Sequence, residues 1–152
     1  MKAELRRRTT ERMARASMFI VGALPWLVAL LAVVLPAPAT ELLGSPFALV
    51  CHRRPERSLE LLGHLMPVCS RCAGLFGGGA LGATLAWPRL ELRPARRALA
   101  LAALLLILDV VTQDIGLHPV WHASRIATGG LFGYLAASTL VALIRAESRS
   151  GH

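Results

Sequence analysis

The 152-residue chain is poor in aromatic and acidic side chains. It contains one Tyr, four Phe and three Trp, and nine acidic residues stand against 17 Lys and Arg, which gives a formal net charge of +8. A basic chain could bind nucleic acid, but single-stranded binding needs aromatic rings on which bases stack. Because such rings are scarce and the basic residues cluster between long apolar runs, the sequence predicts no nucleic-acid partner.

Four long apolar runs are present, three without any charged residue and one with charges only near its two ends. Apolar residues make up 55% of the chain, above the roughly 45–50% that is usual for soluble domains. A run of about 20 such residues crosses the roughly 30 Å hydrocarbon core of a bilayer. The sequence therefore predicts an all-α integral membrane protein, a bundle of four transmembrane helices in the lipid bilayer. The predicted spans are residues 18–37, 73–87, 95–115 and 126–144.

The predicted spans divide the rest of the chain. We assign residues 1–17 to a basic N-terminal arm and residues 38–72 to a Cys/His-rich metal-site connection between helices 1 and 2. Residues 88–94 are a basic loop, residues 116–125 an outer loop and residues 145–152 a tail. A cleaved secretory signal is the alternative for the N-terminus, because residues 37–39 resemble a cleavage site. The first apolar run exceeds the 7–15 residues typical of such signals, which favours a helix that remains.

Basic residues are unevenly distributed around the spans. With the N-terminus in the cytoplasm, twelve of the 17 Lys and Arg fall on the cytoplasmic side and five on the outer side. The positive-inside rule favours this orientation. We therefore expect a multi-pass protein of the cell (inner) membrane whose Cys/His segment faces outwards. The loop before the fourth span would bring Asp114, His118, His122 and Arg125 to the same face.

Small residues recur every four positions in the second and fourth predicted spans. They are Gly74, Gly78 and Gly82 in one, and Gly129, Gly133 and Ala137 in the other. Membrane helices approach closely along such ridges. We expect spans two and four to touch. The same ridges would also suit a non-catalytic subunit that docks onto a larger membrane-protein complex.

All three cysteines fall in one connection, with the pattern C-H-x11-H-x4-C-x2-C. A C-x2-C pair can direct both sulfurs at one ion, and a second pair of Cys or His ligands completes a tetrahedral site. The ligands predicted from this spacing are Cys51, His64, Cys69 and Cys72, with His52 as a further ligand or a catalytic group. Zinc is the expected ion, and copper or iron also accepts sulfur and imidazole ligands.

The C-x2-C pair allows two other interpretations. It lies where the second span begins, and a helix N-terminus favours the thiolate form that redox chemistry needs. Cys69 and Cys72 would then be the active pair of a quinone-coupled membrane thiol-disulfide oxidoreductase, with Cys51 as a third exchanging thiol. A plain structural disulfide is the remaining interpretation.

Asp109 lies inside the third predicted span, one helical turn from Gln113. An ionisable residue at membrane depth indicates a functional site, so Asp109 is a catalytic candidate together with His52. The alternative is a structural ion pair of Asp109 with Arg125 or with an arginine of residues 53–57.

Arginines are concentrated around the cysteine segment. Guanidinium groups bind phosphate through paired hydrogen bonds, so we expect an anionic group such as a lipid headgroup to dock beside the metal. A metal with an open position would polarise that group or activate water, whereas four protein ligands would make the metal structural. The expected anion-binding residues are Arg53, Arg54, Arg57, Arg71 and Arg125.

Several of these segments resemble a family of small bacterial and archaeal membrane proteins known as domain of unknown function 2085. The resemblance covers roughly Cys51 to Tyr134 and rests on "CHRRPERS" and "GHLMPVCSRCAGLFGG", and more weakly on "DVVTQDIGL" and "SRIATGGLFG". It implies a shared architecture and a shared Cys/His site, without an activity. The chain departs from the family pattern at Val110, where glycine is usual, and at His122, where asparagine is usual.

Overall fold

The computed structural model describes residues 2–85 and 91–150, and most of them are helical. The helices are α1 (Lys2–Leu31), α2 (Ala37–Gly44), α3 (Ser70–Leu85), α4 (Leu92–Asp114) and α5 (His122–Ser150). Two short 3-10 helices, Ser45–Leu49 and Pro55–Arg57, lie between α2 and α3. The predicted second span and the loop 88–94 fall in part on residues 86–90, outside the described residues.

The first predicted span begins inside α1 and extends past its end, so that only its last residue, Ala37, lies in α2. The basic arm and the apolar residues up to Leu31 form one continuous helix, α1. The chain turns at residues 32–36, and Pro36 then caps α2, in which Pro38 occupies the first turn. Proline removes a backbone donor and clashes with the preceding turn, so it ends one helix and suits the start of the next.

The segment that contains the site includes a β-hairpin, and the all-α prediction was wrong there. Strands β1 (Ser58–Leu61) and β2 (His64–Cys69) pair antiparallel, with Ser58 opposite Cys69 and Leu61 opposite His64. Leu62 and Gly63 connect them with φ angles of 53° and 81°, the positive values that a two-residue primed turn requires. The fold is therefore mostly helical with a two-stranded sheet.

The α3–α5 contact predicted from the small-residue ridges is confirmed. A Cβ atom added at Gly78 would overlap the carbonyl oxygen of Gly130. The same relation holds for Gly74 with Ile126, Gly82 with Tyr134, Gly129 with Arg71 and Gly133 with Leu75. The two backbones therefore touch without intervening side chains, as small-residue ridges permit.

The remaining helices pack around this pair. Gly22 of α1 lies against the backbone of Phe76 and Ala80, and the Trp26 indole donates a hydrogen bond to the Ala73 carbonyl oxygen over 3.2 Å. Helix α4 packs mainly against α5. The hairpin covers one end of the bundle, where Met66 and Val68 are buried against α1 and α3.

Within the described part of the chain, two helices, at residues 8–31 and 122–147, are long and apolar enough to cross a membrane. Helix α3 has 16 described residues, or roughly 24 Å at 1.5 Å per residue. Helix α4 has 23 residues but carries arginines at its start and Asp109 and Asp114 near its end. Many large apolar side chains of α1 and α4 are exposed, which suits a lipid environment better than water. The structure thus supports a membrane protein, and the count of four spans stays a prediction.

We expect Gly78→Ala to lower the thermal unfolding midpoint of the detergent-purified protein by several degrees, because the new methyl group would overlap the backbone of α5. Gly79→Ala is the matched control. A Cβ there meets nothing nearer than the Gly133 carbonyl oxygen at 4.0 Å, and both variants gain the same helix propensity, about 1 kcal/mol. Equal midpoints for the two variants would contradict the close contact.

Candidate metal centre

The candidate site lies where the hairpin meets the ends of four helices. Trp26 of α1 reaches the first turn of α3, and Arg71 in that turn contacts Asp109 near the end of α4. The Arg71 carbonyl oxygen also touches Gly129, in the second turn of α5. Residues from separate parts of the sequence are thereby held together at this end of the bundle.

The three cysteines come from three different elements. Cys51 follows the first 3-10 helix, Cys69 ends β2 and Cys72 lies in the first turn of α3. Their Sγ atoms all lie within 4.8 Å of one another, and all three are free thiols. The backbone N–H of Cys69 donates to the sulfur of Cys51 over 3.2 Å. The hairpin therefore fixes the position of Cys51 relative to the C-x2-C pair.

This sulfur arrangement suits a thiophilic metal ion. Zinc–sulfur bonds of roughly 2.3 Å place the sulfurs of a tetrahedral site about 3.8 Å apart, so only a small movement is needed here. Among the described residues, no His, Asp or Glu joins this group of three. The protein would thus supply three ligands, which leaves a fourth position for water or another molecule.

Hydrogen bonding favours a thiolate at Cys69. The hydrogen bond from the Cys72 side chain is the main reason that the pKa of Cys69 falls to about 4, and Cys51 and Arg125 act in the same direction. Burial raises the pKa of Cys69, but the hydrogen bonds lower it by more. Cys69 is therefore a thiolate at neutral pH, the form that binds metals and attacks disulfides.

The two histidines predicted near the metal are both exposed. His64 begins β2, whereas Cys69 ends it, and five residues of strand separate them by roughly 16 Å. The structure thus brings together three of the four predicted ligands and leaves His64 outside the group. His52 follows Cys51 and lines the adjacent cavity, so it remains a candidate for a role in catalysis.

A cavity of about 390 Å³ joins the cysteines to the arginines. All five predicted anion-binding residues line it, as do the three cysteines, and Asp114 is the acidic residue among its described lining. Asp114 lies 3.8 Å from Arg57. The arginine cavity, defined by Arg53, Arg54, Arg57, Arg71 and Arg125, is therefore strongly electropositive.

The deepest two arginines are held by α4. A guanidinium nitrogen of Arg71 lies 2.6 Å from Oδ2 of Asp109, and one of Arg125 donates to Oε1 of Gln113 over 2.6 Å. Arg71 also approaches that Gln113 oxygen at 3.4 Å. Asp109 is thus ion-paired, although its partner is Arg71 rather than Arg125 or an arginine of residues 53–57. The spacing of Asp109 and Gln113 indicated a shared face, but nothing in it indicated Arg71.

The outer arginines lie on a constrained loop. The Ser58 and Ser70 hydroxyls donate to the carbonyl oxygens of Arg54 and Arg57 over 3.0 and 3.1 Å. Arg53 has a φ angle of 49°, a left-handed conformation that costs a side-chain-bearing residue roughly 1–3 kcal/mol. Such strain persists where the surrounding structure fixes it, as the two serine contacts do here.

The sequence from residue 51 to residue 139 matches the family described as predicted membrane protein, DUF2085. That region contains the three cysteines, the hairpin and all five cavity arginines, and it is more than half of the chain. The chain belongs to the DUF2085 family. The resemblance noted from the sequence is thereby confirmed.

Two archaeal relatives of this DUF2085 protein are themselves uncharacterised. One, from Methanocaldococcus jannaschii, is 32% identical over 93 residues, which cover 58% of this chain and 59% of the relative. The other, from Methanothermobacter thermautotrophicus, is 38% identical over 89 residues, which cover 55% of this chain and 77% of the relative. No solved structure matches the chain.

We expect Asp109→Asn to destabilise the protein by about 3 kcal/mol, because it leaves the Arg71 charge largely buried without its carboxylate. Arg71 and Asp109 side chains are 16% and 8% exposed. Reversible unfolding in mixed micelles of Asp109→Asn, Arg71→Gln and the double variant would measure the coupling. Strictly additive losses would show that the pair makes no net contribution.

Alkylation of Cys69 by iodoacetamide should proceed at nearly the same rate at pH 5.5 and pH 8 in reduced, metal-stripped protein. Its pKa of about 4 lies below this whole range, whereas the rate for an ordinary thiol rises about tenfold per pH unit. Peptide mass spectrometry assigns the modified cysteine, and Cys69→Ser provides the blank. A rate at Cys69 that climbs with pH like that of an ordinary thiol would contradict the lowered pKa.

Proposed function

We propose that this DUF2085 protein is an integral membrane protein that binds a thiophilic metal ion, zinc most readily, through Cys51, Cys69 and Cys72. The observation that carries the proposal is the clustering of three sulfurs from three separate elements within 4.8 Å. Copper and iron also accept such ligands. Because the hairpin and α3 hold the sulfurs together, little conformational entropy is lost when an ion binds.

The electrostatics support the same proposal. Metal ligation requires deprotonated thiols, and Cys69 has a lowered pKa. Cys51 already accepts a backbone hydrogen bond at its sulfur, an interaction that orients and stabilises thiolate ligands. The hydrogen bond from Cys72 to Cys69 requires the Cys72 proton, so an ion that binds all three sulfurs would displace that proton.

The open coordination position gives the metal a chemical role beyond structure. The three cysteines and five arginines line one cavity, so an anionic molecule, such as a lipid headgroup, would bind beside the ion. A bound metal would supply Lewis-acid polarisation or a more acidic water there. The arginines would orient the anion, and His52 at the cavity wall could accept or release a proton.

We place the arginine cavity at the outer face of the cell (inner) membrane, with the N-terminus in the cytoplasm. The support is the distribution of basic residues. Helix α1 carries its arginines at its N-terminal end and α4 carries Arg93, Arg96 and Arg97 at its own. Both groups of arginines lie at the end of the bundle away from the hairpin. At that end Arg145 pairs with Glu11 over 2.7 Å. In this arrangement α3 and α4 complete a four-span bundle with α1 and α5.

One observation favours a second candidate function, a membrane thiol-disulfide oxidoreductase. Cys69 is hydrogen-bonded by Cys72 and also by Cys51, an arrangement of thiolate and neighbouring thiols typical of redox pairs. With Cys69 as the thiolate, forming a Cys69–Cys72 disulfide would release two electrons and the Cys72 proton. A quinone would take up the two electrons and that proton, and would take a second proton from water to become a quinol.

Metal content separates these candidates. We expect protein purified in mild detergent, without reductant or chelator, to contain about one metal ion per chain by inductively coupled plasma mass spectrometry. Cys69→Ser should lose that ion, because a ligand is removed, and His64→Ala should keep it, because His64 lies outside the sulfur group.

Two outcomes would contradict these expectations, and the intact mass of the same samples detects the first of them. A metal-free protein lighter by two hydrogen atoms would contradict the metal site and favour the redox function. Loss of the ion from His64→Ala would show that the hairpin rearranges to the four-ligand site expected from the spacing.

A further inference from the structure

Arg125 has a donor that no described residue uses. Its side chain is only 2% exposed and is among the largest fully buried side chains. One nitrogen donates to Gln113, but Nε is buried without a hydrogen-bond partner within the described part of the chain. A buried charged group with an unused donor is costly, which indicates that something else accepts from it.

Arg71 and Gln113 repeat this pattern in the same cluster. The Arg71 Nε and the Gln113 amide nitrogen are also buried without partners among the described residues. Gln113 directs its oxygen at both guanidinium groups, so its one acceptor fixes the spacing of the two arginines. All three unused atoms are donors. Arg71 and Arg125 line the cavity, so a ligand there that accepts from both must present several acceptors, as an oxyanion does.

The charge of the site narrows the class of oxyanion. Five guanidinium groups line the cavity together with Asp114, and Asp109 is paired to Arg71. These groups leave three positive charges. Three thiolates around a divalent ion contribute one negative charge, so two positive charges remain. A phosphate monoester carries about −1.5 to −2 at pH 7 and balances them, whereas a phosphodiester carries one negative charge.

We propose that the inner end of the arginine cavity is a binding site for a phosphate monoester or inorganic phosphate dianion, held by the guanidinium groups of Arg125 and Arg71. The charge balance assumes the proposed metal site, whereas the three unused donors are present with or without a metal ion. Arg54 and Arg57 line the same cavity on the exposed loop and would attract the dianion as it enters. The same chemistry fits free phosphate and the headgroup of phosphatidic acid.

The test measures the thermal unfolding midpoint of purified protein whose metal content is known. One arm titrates sodium phosphate against sodium chloride at matched ionic strength. The other compares nanodiscs that contain phosphatidic acid with nanodiscs that contain phosphatidylglycerol, a phosphodiester lipid. Binding to the folded state raises the midpoint with ligand concentration, so we expect phosphate or phosphatidic acid to raise it above its matched comparison.

Three variants make the test specific. Arg125→Lys keeps the charge but loses the planar fork, and should weaken the phosphate response about tenfold or more. Arg54→Gln provides the same readout at an exposed position if Arg125→Lys fails to fold, with about a tenfold weaker response. Arg96→Gln, on the exposed opposite end of α4, removes one charge outside the cavity and should respond like the wild type.

The outcomes separate this inference from the metal site. A response to phosphatidic acid alone assigns the site to a lipid, and a response to inorganic phosphate assigns it to a free anion. A response in metal-free protein supports the phosphate site independently of the metal proposal, which the measured metal content decides. The phosphate site alone is overturned if metal-loaded protein responds to neither probe beyond its comparison, or if Arg125→Lys and Arg54→Gln respond as strongly as the wild type.

Discussion

The close contact between α3 and α5 determines where every part of the site lies. Carbonyl oxygens of each helix occupy the space that Cβ atoms would fill at the facing glycines. Helices with larger side chains at their contact pack roughly 8–10 Å apart. Without those side chains the first turns of the two helices meet, and Arg71 and Arg125 both reach Gln113. The C-x2-C pair lies at the same helix start, so the glycines also place the sulfurs beside the arginines.

The buried polar cluster gives α4 a fixed place in the bundle. Helix α4 packs mainly against α5, and its large apolar side chains are mostly exposed. Asp109 and Gln113 face inwards and hold one arginine from α3 and one from α5. Unpaired buried charges are costly, so these contacts restrict the rotation of α4 about its own axis.

The sequence predicted those parts of the site that depend on local pattern. The glycine period indicated the α3–α5 contact, and the density of Cys and Arg indicated a single site, because both signals lie within short segments. Helix α1 ends at Leu31, five residues before Pro36, whereas the predicted span was extended to residue 37 because the run carries no charge up to that point.

Other parts required the three-dimensional arrangement. The four-ligand prediction rested on the spacing of Cys and His along the chain, which does not specify how far His64 lies from the cysteines. The hairpin instead holds His64 a full strand away, and its turn is formed by Leu62 and Gly63 rather than a common turn pair such as Asn-Gly. The Arg71 partner of Asp109 depends on how α3 and α4 are rotated, which spacing along one helix does not specify.

The glycine ridges repeat every four residues, so small-residue packing alone fits more than one alignment of α3 and α5. A slip by one repeat moves one helix about 6 Å along the other and again brings small residues face to face. The polar cluster removes this degeneracy. After such a slip Arg71 and Arg125 could no longer both donate to their shared acceptor, Gln113. The charge of one arginine would then be left unpaired. The residues that make the cavity electropositive therefore also select the native register of the bundle.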